Sequence, residues 1–247
     1  MIASLPMYDR PETAAAHDRY WQAIRTHLGE GPDALTRGGD LWQHWQSPDL
    51  IFSQTCGYPY RARLHGHVTL IGAPDYGLPG CPPGHYNSVF VTRADDPRAK
   101  LADFETARFA YNEALSQSGW AAPQTHAQAK GITFRNLVQT GGHRLSAMAV
   151  AEGRADIAAI DALTWELLKR HDLFAASLRE IARTKPTPVL PYITAKGRGS
   201  ARHFEAVSAA IADLSAQDLD VLHLKGLVAI PTETYLAVPN PDAPNPL

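Results

Sequence analysis

Short apolar runs alternate with helix-patterned stretches along this chain, and two proline-rich segments break the alternation. Apolar runs at residues 2–7, 50–53, 68–72, 86–92, 109–111, 132–138 and 157–160 have the length of strands. Residues 11–28 predict a helix. Pro11 stands in its first turn, Ala15, Tyr20, Ile24 and Leu28 lie roughly on one face, and Gly29 and Gly31 end it. Further helices are expected between the second and third strands, from about residue 118, over 142–151 and over 201–214. Strands and helices in this order argue for an α/β fold of mostly parallel sheets flanked by helices.

The proline-rich segments at residues 73–84 and 184–192 bracket a central block. They read as two hinge crossings between a discontinuous first lobe, 1–85 with 190–247, and an inserted second lobe, 86–189. A ligand cleft is expected between the lobes, since ligand sites favour domain interfaces. One continuous doubly wound sheet with two long loops satisfies the same periodicity. Residues 239–246 are biased towards proline and read as an extended surface tail.

Composition closes off several classes. A formal charge of −2, with no basic run, argues against nucleic acid. No uncharged apolar run approaches the roughly 18 residues of a membrane span. Two cysteines, Cys56 and Cys81, are expected to be structural and reduced. The first residues carry no basic and apolar leader, so the expected compartment is the periplasm if a signal peptide has been removed and the cytoplasm if Met1 is the native start.

Two loops carry the chemistry. Residues 112–119, from Asn112 through Ser116 and Ser118 to Gly119, run from strand to helix and offer hydroxyl donors beside the free N–H groups of a first helical turn. The simpler reading is that a serine there is a cap. Residues 138–146 repeat the logic with Thr140, Gly141, Gly142 and His143, and Ser146 shares a face with His143. In successive strand–helix units both loops sit at carboxyl ends of strands and point to one anion site. The first lobe offers a third loop, with Thr55, Cys56, Gly57 and Tyr58 opening a helix, and Tyr8 and Tyr192 as aromatic walls. Asp161 ends a strand, where it either meets a ligand amine or caps the following helix.

Signs of catalysis are few. There is no HExxH, CxxC, GxSxG, GxxxxGK[ST] or GxGxxG pattern, and the His65-Gly66-His67 pair has no acid or cysteine at matching spacing. No cofactor or metal is expected.

The ordered segments SQTCGYP, PDYGLPGCPPGHYNSVFV, FAYNEALSQSG, TGGHRLSAMAVAEGRADIAAID and PTPVLPYI resemble the phosphate/phosphonate-type (PhnD-like) substrate-binding proteins of ABC transporters, over about residues 53–193. The resemblance implies a type II two-lobed periplasmic-binding fold and capture of a small anionic solute by hinge closure. It also implies a monomer that delivers its solute to an ABC transporter permease. It assigns the oxyanion to Ser116, Ser118, Gly119, Thr140 and His143. Relatives of this architecture include enzymes of thiamine and menaquinone pathways, in which Cys56, His143 and Asp161 would be the candidate nucleophile, acid or base. A further option is a metal chelate held by Tyr58, His143, Asp161 and Tyr192.

Overall fold

The computed structural model describes residues 1–244, so Asn245 and Pro246 of the expected tail lie outside the described residues. The strands are β1 Ile2–Ser4, β2 Leu50–Gln54, β3 Val68–Asp75, β4 His85–Tyr86, β5 Ser88–Arg93, β6 Arg108–Tyr111, β7 Asn136–Gln139, β8 Ile157–Asp161, β9 Leu178–Arg183, β10 Thr187–Pro188, β11 Tyr192–Ala195 and β12 Gly226–Val228. The helices are α1 Ala14–Leu28, α2 Leu41–Gln46, α3 Gly57–Pro59, α4 Ala122–Gln128, α5 His143–Ala151, α6 Ala162–His171, α7 Ser200–Asp213, α8 Ala216–Val221 and α9 Thr232–Leu236. The chain divides into two compact units, Met1–His85 with Pro188–Ala237 and Tyr86–Thr187 with Val238–Leu247. Residues 238–244 thus go with the second unit, whereas the sequence predicts the first.

The first unit is a five-stranded sheet in the order β1-β2-β11-β3-β12. Its helix α1 buries Ala16, Tyr20, Ile24 and Leu28, a strict i, i+4 stripe that begins one residue later than the periodicity predicts and leaves Ala15 exposed. Gly29, at φ 69°, ends the helix and returns its N–H to the Arg25 carbonyl. Trp21 stacks on Phe52 with ring centres 6.2 Å apart, and a Cβ on Gly31 would come within 2.7 Å of its indole, so the turn after α1 needs a residue without a side chain.

The second unit is a five-stranded sheet in the order β7-β6-β8-β5-β9. Central β8 is buried along its whole length, which explains its unbroken apolar run. Phe109 stacks on Phe134 at 4.5 Å and Phe90 packs at 6.4 Å from the same ring. The expected strand over 132–138 pairs only over Asn136–Gln139, while Ile132 and Phe134 are buried as irregular chain.

Both sheets mix strand senses. β6 runs parallel to β7 and β8, and β1 parallel to β2, whereas β5 and β11 run antiparallel to their neighbours. The right-handed parallel rule governs strands linked through a helix on the same sheet; β5 and β11 each follow a crossing and are free of it. The crossing strands β4 and β10 pair with each other. Edge strand β9 has no strand signature in the sequence because Arg179, Glu180 and Arg183 interrupt Leu178, Ile181 and Ala182 without a period of two; charges of this kind protect an edge.

Candidate functional site

In the second unit, β6 delivers Asn112 and the loop that ends in Ser116. Ser116 caps a π-helical turn over Gln117–Ala121: its hydroxyl accepts the Gly119 N–H at 2.9 Å, and its carbonyl accepts the Ala121 N–H at 2.9 Å. Such wide turns recur at functional sites, and this one runs straight into α4. Ser116 is therefore the capping residue, and Ser118 is the hydroxyl that faces the second loop.

That second loop is laid against the first by main-chain bonds that extend the β6–β7 pairing. Thr140 N–H donates to the Tyr111 carbonyl and Gly141 N–H to the Asn112 carbonyl, both at 2.9 Å. Gly141, at φ 85°, turns the chain, and extended Gly142 caps α5, whose first residue is His143. The ring of His143 then arrives with Nε2 2.9 Å from Ser118 Oγ and 3.5 Å from Asn112 Nδ2. The two loops meet through Ser118, Asn112 and His143.

Two residues assigned to the oxyanion are also engaged within the protein. A Cβ on Gly119 would lie 1.8 Å from Asn112 Oδ1, so the glycine admits the Asn112 side chain. Thr140 was read as a ligand donor, but its hydroxyl lies 2.6 Å from Ser146 Oγ, 3.1 Å from the Tyr111 carbonyl and 3.2 Å from the Gly142 carbonyl. It ties β6 to the start of α5, and Ser146 is buried beneath it.

Burial pushes the His143 imidazole down to about 4, against a weaker opposing pull from the main chain of Ala159. The ring is neutral at neutral pH, one nitrogen donating and one accepting. Its Nδ1 and Asn112 Oδ1 are shut off from solvent and meet no hydrogen-bond partner of ordinary geometry among the described residues. The N–H groups of the first turns at Gln117 and His143 are a local source of positive potential, and the imidazole is uncharged. Asp161 takes the capping role: its Oδ1 accepts the Thr164 N–H at 2.9 Å at the start of α6.

The first unit carries its own group. Thr55 is fully buried, its N–H donates to the Pro191 carbonyl at 3.1 Å, and its hydroxyl meets no partner of ordinary geometry among the described residues. Cys56 precedes the helical turns at 57–64 and accepts the Tyr60 N–H on its carbonyl at 3.0 Å. Sequence reasoning missed Arg61, which lies one turn after Tyr58 and places its guanidinium over that ring at 4.5 Å. Its Nη1 would be 3.9 Å from a Cβ on Gly57, so a cation stands at this helix start. The i, i+3 spacing from Tyr58 was the available signal. Tyr8 packs edge-on to Tyr76 at 5.4 Å. Tyr192 is a core residue with its ring 4.9 Å from Phe52 and its hydroxyl among those of Tyr20 and Tyr76, and burial pushes it well above the ordinary tyrosine range.

Among the described residues no group of three or more histidine, cysteine or acidic side chains is arranged to hold a metal ion, and no helix is long and apolar enough to cross a membrane. Comparison with known proteins gives one family model, described as the periplasmic substrate-binding protein of a phosphonate ABC transporter, which matches residues 47–235. No curated protein matches the sequence. Solved structures match over nearly the whole chain. The binding protein component of an ABC phosphonate transporter from Pseudomonas aeruginosa has a TM-score of 0.72 at 15% identity, with 95% of this chain and 82% of that one covered. PhnD1 from Prochlorococcus marinus, solved in complex with methylphosphonate, has a TM-score of 0.70 at 16% identity, with 95% and 94% covered. A histidine kinase sensor domain similar to periplasmic binding proteins has a TM-score of 0.62 at 16% identity, with 93% and 98% covered. At these identities the likeness is one of fold, and the fold is that of type II periplasmic binding proteins.

Proposed function

The chain belongs to the periplasmic substrate-binding proteins of phosphonate ABC transporters, and from that premise we propose that it binds a small phosphonate- or phosphate-like oxyanion at Ser118, Asn112 and His143. The observation that carries this reading is the 2.9 Å approach of Ser118 Oγ to His143 Nε2 at the ends of two neighbouring strands, next to two helix starts. A hydroxyl, an amide and a neutral imidazole, with main-chain N–H groups, suit an oxyanion with several acceptor oxygens. That PhnD1 was solved with methylphosphonate adds support for the ligand class. The family binds solutes for transport, which sets the enzyme reading aside.

In the first unit, Thr55 with its unpartnered hydroxyl, the N–H groups of Gly57 and Tyr58, and Tyr8 are proposed as further ligand contacts. The protein is proposed to act as a monomer in the periplasm and to pass its solute to a permease. The test is calorimetric titration with methylphosphonate, phosphate, sulfate and acetate. Saturable binding of the phosphorus oxyanions, lost in Ser118→Ala and in Thr55→Val while both apo proteins still fold cooperatively, is the expected result; Ser118→Ala also melts lower, because His143 Nε2 loses its hydroxyl partner. Binding that survives Ser118→Ala would remove the proposed site.

A further inference from the structure

The C-terminal segment reaches the turn that carries Ser118. After α9 the chain leaves the first unit at Ala237 and goes with the second from Val238 onward. There the Asp242 carbonyl accepts the indole N–H of Trp120 at 2.9 Å. Pro239, Asn240 and Pro241 also have interaction partners. Trp120 lies inside the π turn: its own N–H donates to the Ser116 carbonyl at 3.2 Å, and its ring, 4% exposed, packs on Tyr111 at 5.0 Å. Tyr111 in turn holds Thr140 through its carbonyl and precedes Asn112. One side chain thus connects the tail to both loops of the cluster.

We propose that residues 238–244 form a positioning strap that fixes the Ser118 turn through Trp120. The physical argument has two parts. A π-helical turn is an uncommon, poorly self-sustaining geometry that relies on outside contacts to persist. A segment with Pro239, Pro241 and Pro244 loses little conformational entropy on docking, so a single indole hydrogen bond and its packing suffice to hold it. Trp120 is a positioning residue in this account, acting on the ligand through Ser118 and Asn112.

This inference rests on the binding reading above for its effect on affinity but not for its effect on the turn, and the experiment separates the two. Trp120→Phe keeps an aromatic side chain and removes the pyrrole part of the indole with its N–H; truncation after Val238 removes the strap. Hydrogen exchange of the unliganded full-length protein is compared with that of each variant, followed by titration with methylphosphonate. Expected are a faster exchange at the Gly119, Trp120 and Ala121 amides and a Kd raised about fivefold, the equivalent of one ordinary hydrogen bond. Combining the two changes should cost less than the sum of their separate effects, since both remove the same hydrogen bond. Unchanged exchange at the turn in the truncated protein, or a fall in melting temperature with no local change, overturns the strap. If the wild-type protein does not bind methylphosphonate, the ligand reading fails and the exchange comparison still decides the strap.

Discussion

Ser118 Oγ and His143 Nε2 stand 2.9 Å apart, on turns that follow two different strands of the same sheet. The contact is made by side chains 25 residues apart in sequence, so its geometry depends on the main-chain bonds that lay the Thr140 loop on Tyr111 and Asn112.

The first prediction concerns acid. With His143 pushed down to about 4 in the folded protein, the unfolded chain, titrating near 6.5, holds more protons in between. Its contribution to stability is therefore complete above about 6.5 and is lost as pH falls from there towards 4. Melting temperatures from pH 4 to 7.5 should decline less steeply in His143→Gln than in the wild type. Equal slopes would mean that the ring is already charged in the folded state.

Gly119→Ala should be strongly destabilising, because the new Cβ would stand 1.8 Å from Asn112 Oδ1. Overpacking of this kind costs about 1–3 kcal/mol. Asn112→Ala in the same chain should restore most of that stability by opening the space, without restoring methylphosphonate binding. Denaturant midpoints of the single and double variants measure the coupling, and additive losses would contradict the packing account.

Thr140→Val removes a hydroxyl and leaves the shape of the side chain. Ser146 loses its 2.6 Å partner while buried, and the expected cost is about 1–3 kcal/mol. Methylphosphonate affinity should change far less than in Ser118→Ala, since the hydroxyl ties β6 to α5. A loss of affinity with no loss of stability would return Thr140 to the ligand.

Asp161→Ala should cost about 1 kcal/mol by removing the α6 cap, and Asp161→Asn only a few tenths, because asparagine caps as well. Urea unfolding distinguishes the two. A large cost in both variants would show that the carboxylate charge itself is needed.

Much of this was legible in the sequence because local rules and tertiary structure agree. The i, i+4 stripe of α1, the glycine stop at Gly29, the buried run of β8 and the serine and glycine loops all follow from periodicity and cap chemistry. Edge strand β9 was not legible, since its charges look like a loop until the neighbouring β5 is known. The roles of Gly119 and Thr140 were hidden for a different reason. Both residues suit an anion loop by type, but their partners, Asn112 and Ser146, lie within the same short segments, and only three-dimensional placement shows that these demands are met inside each loop. Arg61 was missed because its value lies in standing over Tyr58, which a scan for anion-binding turns does not seek.

Calorimetric titration of wild-type protein and Ser118→Ala with methylphosphonate tests the central claim most directly. The account predicts saturable one-to-one binding to the wild type and an affinity at least tenfold weaker in the variant, with the unliganded variant still cooperatively folded. Equal affinities in the two proteins would contradict it.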